Sequence, residues 1–227
     1  MLRYKSYTFI CSNKNFLDNI IIKKNIFNND IYQKFEATLN IEGQLIVCRD
    51  STKITTSTGN IIEESYDDYL KFLESYDMLR DQWIYNIIDG LAEQDKILYQ
   101  DEEIIIIPNY TWNEKKIEDL HILTIPKDKS LRSIRSLTGK NINLLKKIKE
   151  KTCEIIKLKY NLDSNVLKMF CHYSPSTYHL HVHFAKITNK NINSSVECSH
   201  DLTNIISNLE INPDYYKLVI INKREVK

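Results

Sequence analysis

The stretch His172-Tyr173-Ser174-Pro175-Ser176-Thr177-Tyr178-His179-Leu180-His181-Val182-His183-Phe184 holds four of the chain's six histidines. Its last six residues alternate between histidine and a large apolar residue. Alternate side chains of an extended strand share a face, whereas a helix would scatter them. The pattern therefore predicts a strand from Tyr178 to Thr188 with three imidazoles on one face and apolar groups on the other.

Composition limits the classes of partner. The chain has 227 residues, of which 42% are hydrophobic and 27% are charged, as in ordinary globular proteins. Its 31 basic and 30 acidic residues give a formal charge of +1. No global basic field attracts a long nucleic acid, so we expect any nucleotide ligand to be recognised locally.

Cysteine spacing and hydropathy indicate the compartment. The five cysteines are odd in number and never in Cys-x-x-Cys spacing, which favours a reducing compartment without a thiolate metal site. No apolar run approaches the ~20 residues of a membrane span, and residues 1–10 lack the apolar block of a signal peptide. We expect a cytoplasmic or nuclear protein with no membrane partner.

The chain divides into three parts by pattern. Residues 1–60 predict a small strand-rich domain, and its polar end, 49–60, is the predicted boundary. Residues 61–80 predict a helical hinge, with one helix from Glu63 to about Leu79. The predicted strands of the first part are Ser6–Cys11, Ile20–Lys23, Phe35–Leu39 and Gln44–Cys48.

Residues 81–227 predict an α+β domain built on an antiparallel sheet. Its helices are expected at Gln82–Ala92, from a Thr138 cap to about Tyr160, and at Asp201–Leu209. Its strands are expected at Lys96–Gln100, Glu103–Ile107, Asp119–Ile125, Val166–His172, Tyr178–Thr188 and Tyr215–Ile221. The fourth and fifth strands form the central hairpin.

Three interpretations of the alternating histidines compete. They can be satisfied structural groups, zinc ligands with a bound water, or a nucleophile with its supports. A neutral imidazole attacks phosphorus when its other nitrogen is held as a donor. The middle histidine, His181, is the best placed because its neighbours on the same face can hold phosphate oxygens. Ser176 could donate to the substrate as well.

His179-Leu180-His181-Val182-His183-Phe184 resembles the signature of the histidine-triad superfamily of nucleotidyl hydrolases and transferases. The block 172–178 ahead of it resembles one branch, the scavenger mRNA decapping enzymes. The likeness extends over roughly residues 80 to 221. It is carried by residues 81–89, 106–108, 112–113, 133–138 and 208–213, with 29–32 as an isolated match upstream.

The resemblance implies an activity, a fold and an assembly. Family members are hydrolases of phosphoric anhydrides that cleave the triphosphate of short capped RNA fragments or cap dinucleotides, releasing 7-methyl-GMP without a metal or other cofactor. It implies a C-terminal histidine-triad sheet, and a small N-terminal domain exchanged between the subunits of a homodimer. His181 would be the nucleophile, supported by His172, His179, His183 and Ser176.

The resemblance also implies residues that bind the cap. N7-methylation makes guanine cationic, so an aromatic face attracts it, and a carboxylate can accept its N1–H and N2 amine hydrogens. Trp83 and Glu93 match these roles. In an unbroken helix they would lie ~15 Å apart and ~80° out of phase. We therefore expect the helix to end between them, at Gly90.

The resemblance implies further residues that contact the substrate. Tyr110, beside Pro108, would cover the other face of the base. The sequence departs from the family at three positions, where an acid, a lysine and an aromatic are replaced by Asn109, Thr111 and Thr177. Three residues from upstream segments, which would reach the ligand from the small domain and the hinge, are Asn29, Tyr32 and Lys71.

Two alternative functions stay open. The chain could be a histidine-triad hydrolase for another nucleotide, such as a dinucleoside polyphosphate or a phosphoramidate. It could also be a non-catalytic cap-binding module, given Asn109, Thr111 and Thr177. Replacement of Trp83 or Glu93 tests the first alternative, because a hydrolase for another nucleotide should not lose a preference for methylated over unmethylated guanine. Replacement of His181 by Asn tests the second, because in a decapping enzyme it should leave cap binding intact and abolish the release of 7-methyl-GMP.

Overall fold

The computed structural model describes residues 2–4, 7–9, 21–28, 32–38, 42–48, 57–112 and 114–226, with side chains for 60–112 and 114–224. The chain forms two compact units, Met1–Ser57 with Val226–Lys227, and Thr58–Glu225. Helices and antiparallel sheets make the molecule α+β, as predicted. Residues 61–80, expected to form a hinge, lie within the second unit.

The first unit carries one five-stranded sheet in the order β1-β2-β5-β4-β3, with antiparallel neighbours. The third and fourth strands begin or end several residues beyond the predicted bounds. Asn29 lies outside the described residues, and Tyr32 is described only as the first backbone position of β4. The strands are β1 Leu2–Tyr4, β2 Tyr7–Phe9, β3 Ile21–Asn28, β4 Tyr32–Thr38 and β5 Glu42–Cys48.

A two-stranded sheet joins the start and end of the second unit. Strand β6, Ser57–Glu64, pairs with the final strand, Ile221–Val226. The predicted strand Tyr215–Ile221 was wrong, because Tyr215–Leu218 is a short helix. The Asn212 side chain accepts from the Asp214 amide at 2.9 Å, and this turn starts the helix.

Two helices precede the main sheet. Helix α1, Tyr66–Ser75, begins at a capping box between Ser65 and Asp68. It ends four residues before the predicted Leu79, and a 3-10 turn at Met78–Asp81 leads into α2, Gln82–Ile88. Helix α2 is shorter than predicted, and the expected end between Trp83 and Glu93 is confirmed.

The second unit is organised on a six-stranded antiparallel sheet in the order β12-β10-β11-β9-β8-β7. The predicted pairing of the central hairpin, β10 with β11, is confirmed. The strands are β7 Tyr99–Gln100, β8 Ile104–Pro108, β9 His121–Pro126, β10 Leu167–His172, β11 Val182–Lys186 and β12 Ser199–Asp201; the last strand of the chain is β13. Strand β7 begins three residues after the predicted Lys96, which lies in a 3-10 turn.

Different helices pack on the two faces of this sheet. One face packs against the long helices α3, Ile142–Tyr160, and α4, Leu202–Ile211, which bury Val182 and Phe184. The remaining helix, Tyr215–Leu218, is α5. On the other face α2 covers only part of the sheet, around β8 and β9. The uncovered part of that face carries imidazoles.

The strand predicted from Tyr178 starts only at Val182, so His179 and His181 precede it. Val182 pairs with Thr124, which brings Leu180 opposite Pro126 in register. Proline has no N–H to donate, so the ladder cannot continue there. The Leu180 amide instead donates to the Leu131 carbonyl at 2.7 Å.

The expected cap lies one turn ahead of α3. Thr138 forms a capping box with Asn141 and caps the 3-10 turn Gly139–Asn141, whereas the N-cap of α3 itself is Asn141. The helix runs to Tyr160, as predicted. Asp201 caps α4 by accepting from the Asn204 amide at 3.0 Å. Among the described residues, no helix combines the length and the apolar character that a membrane crossing requires.

Candidate active site

Four imidazoles meet on the sheet face that α2 leaves uncovered, and His183 of β11 lies at their centre. The centroid of its ring lies 4.3 Å from that of His172, 5.0 Å from His181 and 5.2 Å from His121. Phe170 stacks on the same ring at 5.2 Å with an interplanar angle of 11°. We call His121, His172, His181 and His183 the histidine cluster.

His181 has the protonation that a nucleophile requires. Its Nδ1 lies 2.8 Å from the His179 carbonyl, which can only accept, so Nδ1 carries the proton. Burial lowers the pKa of His181 to about 4, despite the opposing hydrogen bond. The ring is therefore neutral at pH 7 and Nε2 has a free lone pair.

His172 and His179 are fixed in the opposite tautomer. Their Nε2 atoms donate to the carbonyls of Asn193 and Pro126, each at 2.7 Å. Burial is the main cause that lowers the pKa of both rings. The His179 ring meets Tyr85 edge-on at 5.5 Å, and its buried Nδ1 has no hydrogen-bond partner among the described residues.

His121 was not predicted as a site residue. Its Nε2 lies 2.9 Å from His183 Nδ1, and its ring is 5% exposed. Residues 109–111 close this side of the cluster, since the Asn109 amide donates to the His121 carbonyl at 2.8 Å. His121 lies within the predicted strand Asp119–Ile125 and begins the observed β9, but the sequence alone did not indicate that this strand pairs with β11.

The loop 173–178 connects the cluster to the preceding helices. The Tyr178 amide donates to Asp81 Oδ1 at 2.9 Å, and the buried Asp81 also accepts from Tyr76 and Arg132. Asp81 was not predicted as a supporting residue. Ser176 is exposed at the surface of this loop, with its hydroxyl accessible to a ligand.

Thr177 binds the predicted base-stacking residue. Its side-chain oxygen accepts from the Trp83 indole N–H at 3.1 Å, although Thr177 is almost fully buried. The structure thus connects half-buried Trp83 directly to the loop that carries Ser176. Thr177, where the resemblance implies an aromatic residue, therefore has a polar contact to Trp83.

Glu93 follows a sharp reversal of the chain. After α2, Gly90 adopts a positive φ of 76°, a conformation that favours glycine, and Glu93 itself has a φ of 53°. The Glu93 carboxylate lies 3.4 Å from Lys96 Nζ in an ion pair, and its side chain is 19% exposed. The carboxylate is accessible to a ligand.

The other predicted site residues occupy two places. Pro108 is buried at the end of β8, and the half-exposed Tyr110 follows it. Thr111 donates to Asn109 Oδ1 from both its amide and its hydroxyl, at 2.9 and 2.7 Å. Lys71 is exposed on α1. Within residues 60–112 and 114–224, no three His, Cys, Asp or Glu side chains are grouped as ligands for one metal ion.

Comparison with known proteins identifies related chains. The family model described as "Scavenger mRNA decapping enzyme C-term binding" matches residues 82–199, more than half of the chain. The m7GpppX diphosphatase of Rattus norvegicus is 37% identical over 165 residues, covering 69% of this chain and 49% of that protein. That of Homo sapiens is 34% identical, covering 84% and 61%. That of Ascaris suum is 32% identical, covering 86% and 69%.

The chain spans about half the length of the rodent relatives it matches. A solved structure titled "Hnt3 in complex with DNA and guanosine" is 16% identical, with a TM-score of 0.38, covering 61% of this chain and 81% of that chain. From the match over residues 82–199 and the identity to the Ascaris suum protein, the chain belongs to the scavenger mRNA decapping enzyme family.

Proposed function

We propose that the chain is a scavenger decapping pyrophosphatase of the histidine-triad superfamily. It hydrolyses the triphosphate of 7-methylguanosine cap dinucleotides or short capped RNA fragments in mRNA decay. The products are 7-methyl-GMP and a nucleoside or RNA diphosphate. The observation that carries the proposal is His181, neutral and buried in the histidine cluster, with its Nδ1 proton held by the His179 carbonyl.

The reaction proceeds in two displacements. His181 Nε2 attacks the phosphorus next to the methylguanosine, the bond to the bridging oxygen breaks, and the diphosphate leaves. Water then attacks the phosphohistidine, the P–N bond breaks, and 7-methyl-GMP is released. His172, His179 and His183 surround the reacting phosphate, and because their free ring nitrogens carry lone pairs, they bind its oxygens or assist departure of the diphosphate through a water or after taking up a proton. The exposed Ser176 hydroxyl donates to the phosphates.

Recognition of the base rests on the chain around α2. The Trp83 ring stacks on the cationic base, and Glu93 accepts its N1–H and N2 amine hydrogens, with Tyr110 and Pro108 on the other side. Lys71, Asn29 and Tyr32 contribute from the upstream segments. Asn109 and Thr111 face His121 through their hydrogen bonds, so we assign the direct phosphate contacts to the other residues.

The assembly and location follow the family. We propose a cytoplasmic or nuclear homodimer in which the strand-rich first unit is exchanged between subunits. The sheet of that unit offers the strands for such an exchange, because edge strands pair with other chains. A lid formed in this way would limit the length of RNA that can be accepted.

One assay tests the reaction. The full chain is incubated with cap dinucleotide and EDTA, and products are separated by chromatography; we expect 7-methyl-GMP. Substitution of His181 by Asn should lower the release by about a thousandfold or more while binding stays within threefold. The matched control is His200→Asn, since His200 pairs with core-facing Cys171 on the other sheet face. Equal release by wild type and His181→Asn would overturn the proposal.

A second comparison tests the substrate. Trp83→Ala should reduce the preference for methylated over unmethylated cap dinucleotide by roughly 2- to 30-fold, the cation–π contribution. A hydrolase for another nucleotide would show no such preference in the wild type. Trp83→Phe retains an aromatic face and should retain most of the preference.

A further inference from the structure

We propose that His121 is a positioning residue which, through a hydrogen-bond chain from Asn109 and Thr111, sets the tautomer of His183. The tautomer assignment stands on geometry, and its catalytic consequence rests on the proposed function. This hydrogen-bond chain uses two of the three positions, 109 and 111, at which the resemblance implies a departure from the family pattern.

The first step assigns donor and acceptor in the hydrogen bonds between Asn109 and Thr111. The Thr111 amide can only donate, so the atom it contacts at 2.9 Å is the Asn109 side-chain oxygen. The Thr111 hydroxyl donates its single proton to the same oxygen at 2.7 Å. Towards His121 Nδ1, at 3.3 Å, the hydroxyl therefore offers only a lone pair.

The second step fixes His121. Because the Thr111 hydroxyl accepts, His121 Nδ1 carries the proton. Burial, with smaller repulsion from His172 and His181, lowers the pKa of His121 to about 3, so the ring is neutral at pH 7. Its Nε2 then holds a lone pair, and it can only accept from His183 Nδ1 at 2.9 Å.

The third step fixes His183. Burial also lowers its pKa well below the usual value, so the ring is neutral with its proton on Nδ1. Its buried Nε2 has a lone pair and no hydrogen-bond partner among the described residues. The His183 ring meets the ring of His181 edge-on, with the two ring centroids 5.0 Å apart. His183 Nε2 is thus an acceptor for a hydroxyl or water proton at the reacting phosphate.

The backbone holds this arrangement in place. His121 begins β9 and pairs with Ala185, two residues after His183 on β11. The Asn109 amide donates to the His121 carbonyl, and Phe170 stacks on His183. The two imidazole centroids lie 5.2 Å apart with 30° between the ring planes, and the rings meet edge to edge through their hydrogen bond. Neither ring can turn without losing a hydrogen bond in a buried place.

Imidazole ¹⁵N NMR tests the tautomer. In the full chain at pH 7.5 we expect His183 with protonated Nδ1 and unprotonated Nε2. His121→Phe removes the acceptor and should move the proton of His183 to Nε2. His121→Gln places an amide oxygen in reach of His183 Nδ1 and should retain the wild-type tautomer. The His181 resonances, set by the His179 carbonyl, serve as the internal reference.

The same variants test the consequence for turnover. His121→Phe should lower kcat on cap dinucleotide by about tenfold or more, with KM within threefold, and His121→Gln should restore most of it. Wild-type His183 protonated at Nε2, or full kcat in His121→Phe, would overturn the inference. If cap is not hydrolysed at all while the tautomer is as expected, the proposed function fails and the tautomer assignment stands.

A surface variant covers the case in which His121→Phe does not fold. Thr111 is exposed, so Thr111→Val should be tolerated. Without the hydroxyl, His121 can move its proton to Nε2 and donate to His183, and we expect a mixed or reversed pair of tautomers. The matched control is Thr188→Val, an exposed threonine that binds the Glu118 carbonyl. Identical spectra for Thr111→Val and wild type would overturn the inference.

Discussion

The histidine cluster and the Trp83–Glu93 pair are held in different ways. His181 and His183 are 8% and 5% exposed, and each has a hydrogen bond of 2.8 or 2.9 Å that fixes its tautomer. The Glu93 side chain is 19% exposed and forms an ion pair of 3.4 Å with exposed Lys96. The proposed reacting groups are therefore held by short hydrogen bonds before a ligand binds, whereas the proposed base-binding carboxylate of Glu93 is held by a longer, partly exposed ion pair.

The difference follows from where each group is attached. His121 and His183 lie on central strands of the six-stranded sheet, and His181 precedes its strand directly. Trp83 lies on a seven-residue helix, and Glu93 follows its end in a left-handed conformation. Preorganised electrostatics accelerates a reaction because no reorganisation is needed, while recognition of a base tolerates adjustment.

The largest expected effect is on the support of the cluster. Asp81 is fully buried and accepts from Tyr76, the Tyr178 amide and Arg132 at 2.7, 2.9 and 3.0 Å. Asp81→Ala leaves Arg132 without its buried partner, so we expect the free energy of unfolding to fall by about 3–5 kcal/mol. Urea unfolding measures the loss.

A surface carboxylate provides the control for Asp81. Asp77 is exposed and caps the same 3-10 turn by accepting from the Leu79 amide. Asp77→Ala should cost about 1 kcal/mol. Equal losses in the two variants would mean that the loop 173–178 does not depend on its buried anchor, and the contrast with the recognition groups would weaken.

The second prediction concerns the free energy of unfolding at acidic pH. Above pH 6.5 the imidazoles are neutral in both the folded and the unfolded chain, so they add no pH dependence. Burial lowers the pKa of His121 to about 3 and that of His181 to about 4 in the folded chain. As the pH falls below 6.5, these imidazoles therefore become protonated in the unfolded chain while they stay neutral in the folded chain. Stability therefore declines, by about 1.4 kcal/mol for each unit of pKa difference that is traversed.

Urea unfolding at pH 7.5, 6.5 and 5.5 checks this sign. His181→Asn should make the decline between pH 6.5 and 5.5 smaller without abolishing it, since one of several imidazoles with a lowered pKa is removed. The carboxylates with lowered pKa, such as Glu197 at about 2, titrate below this window. A stability that stays constant from pH 7.5 to 5.5 would contradict the buried neutral cluster.

The smallest effect should come from the recognition side. Glu93→Gln keeps the shape and removes the charge, so we expect the Kd for 7-methyl-GMP to rise by roughly 10- to 100-fold, the cost of one or two charge-assisted hydrogen bonds. The free energy of unfolding should change little, because the ion pair of Glu93 is long, at 3.4 Å, and its partner Lys96 is exposed. Calorimetric titration measures the Kd.

Lys96→Ala is the matched control for Glu93. It removes the ion pair and keeps the carboxylate, so the Kd should move by less than about threefold. If Lys96→Ala weakened binding as much as Glu93→Gln, the ion pair itself would be the rigid recognition element, and the proposed difference between the two regions would be wrong.

Local signals in the sequence predicted much of the second unit. The alternation of 179–184 indicated the central hairpin, Thr138 indicated the capped turn that leads into α3, and Gly90 indicated the end of α2 before Glu93. These features depend on neighbours within a few residues. The backbone requirement of a cap or a positive φ is present in the residue type itself.

The features that were not predicted depend on residues distant in sequence. His121 enters the cluster only because β9 pairs with β11, 62 residues later at His183. Strand β11 starts at Val182 and not at the predicted Tyr178 because Leu180 faces Pro126 of β9. Asp81 supports Tyr178 across 97 residues. Which strand lies beside which is set by packing of the whole unit, and a single sequence does not specify it locally.

The fully buried guanidinium of Arg135 has a consequence for local opening. It donates to the carbonyls of Tyr216, Val219 and Glu64 at 2.7, 2.7 and 2.5 Å. The segment that enters the second unit and the segment that closes it therefore share one hydrogen-bonding centre. Neither can fray alone without leaving a charge unsolvated, so their amide hydrogens should exchange with deuterium together, in the cooperative step that opens the core.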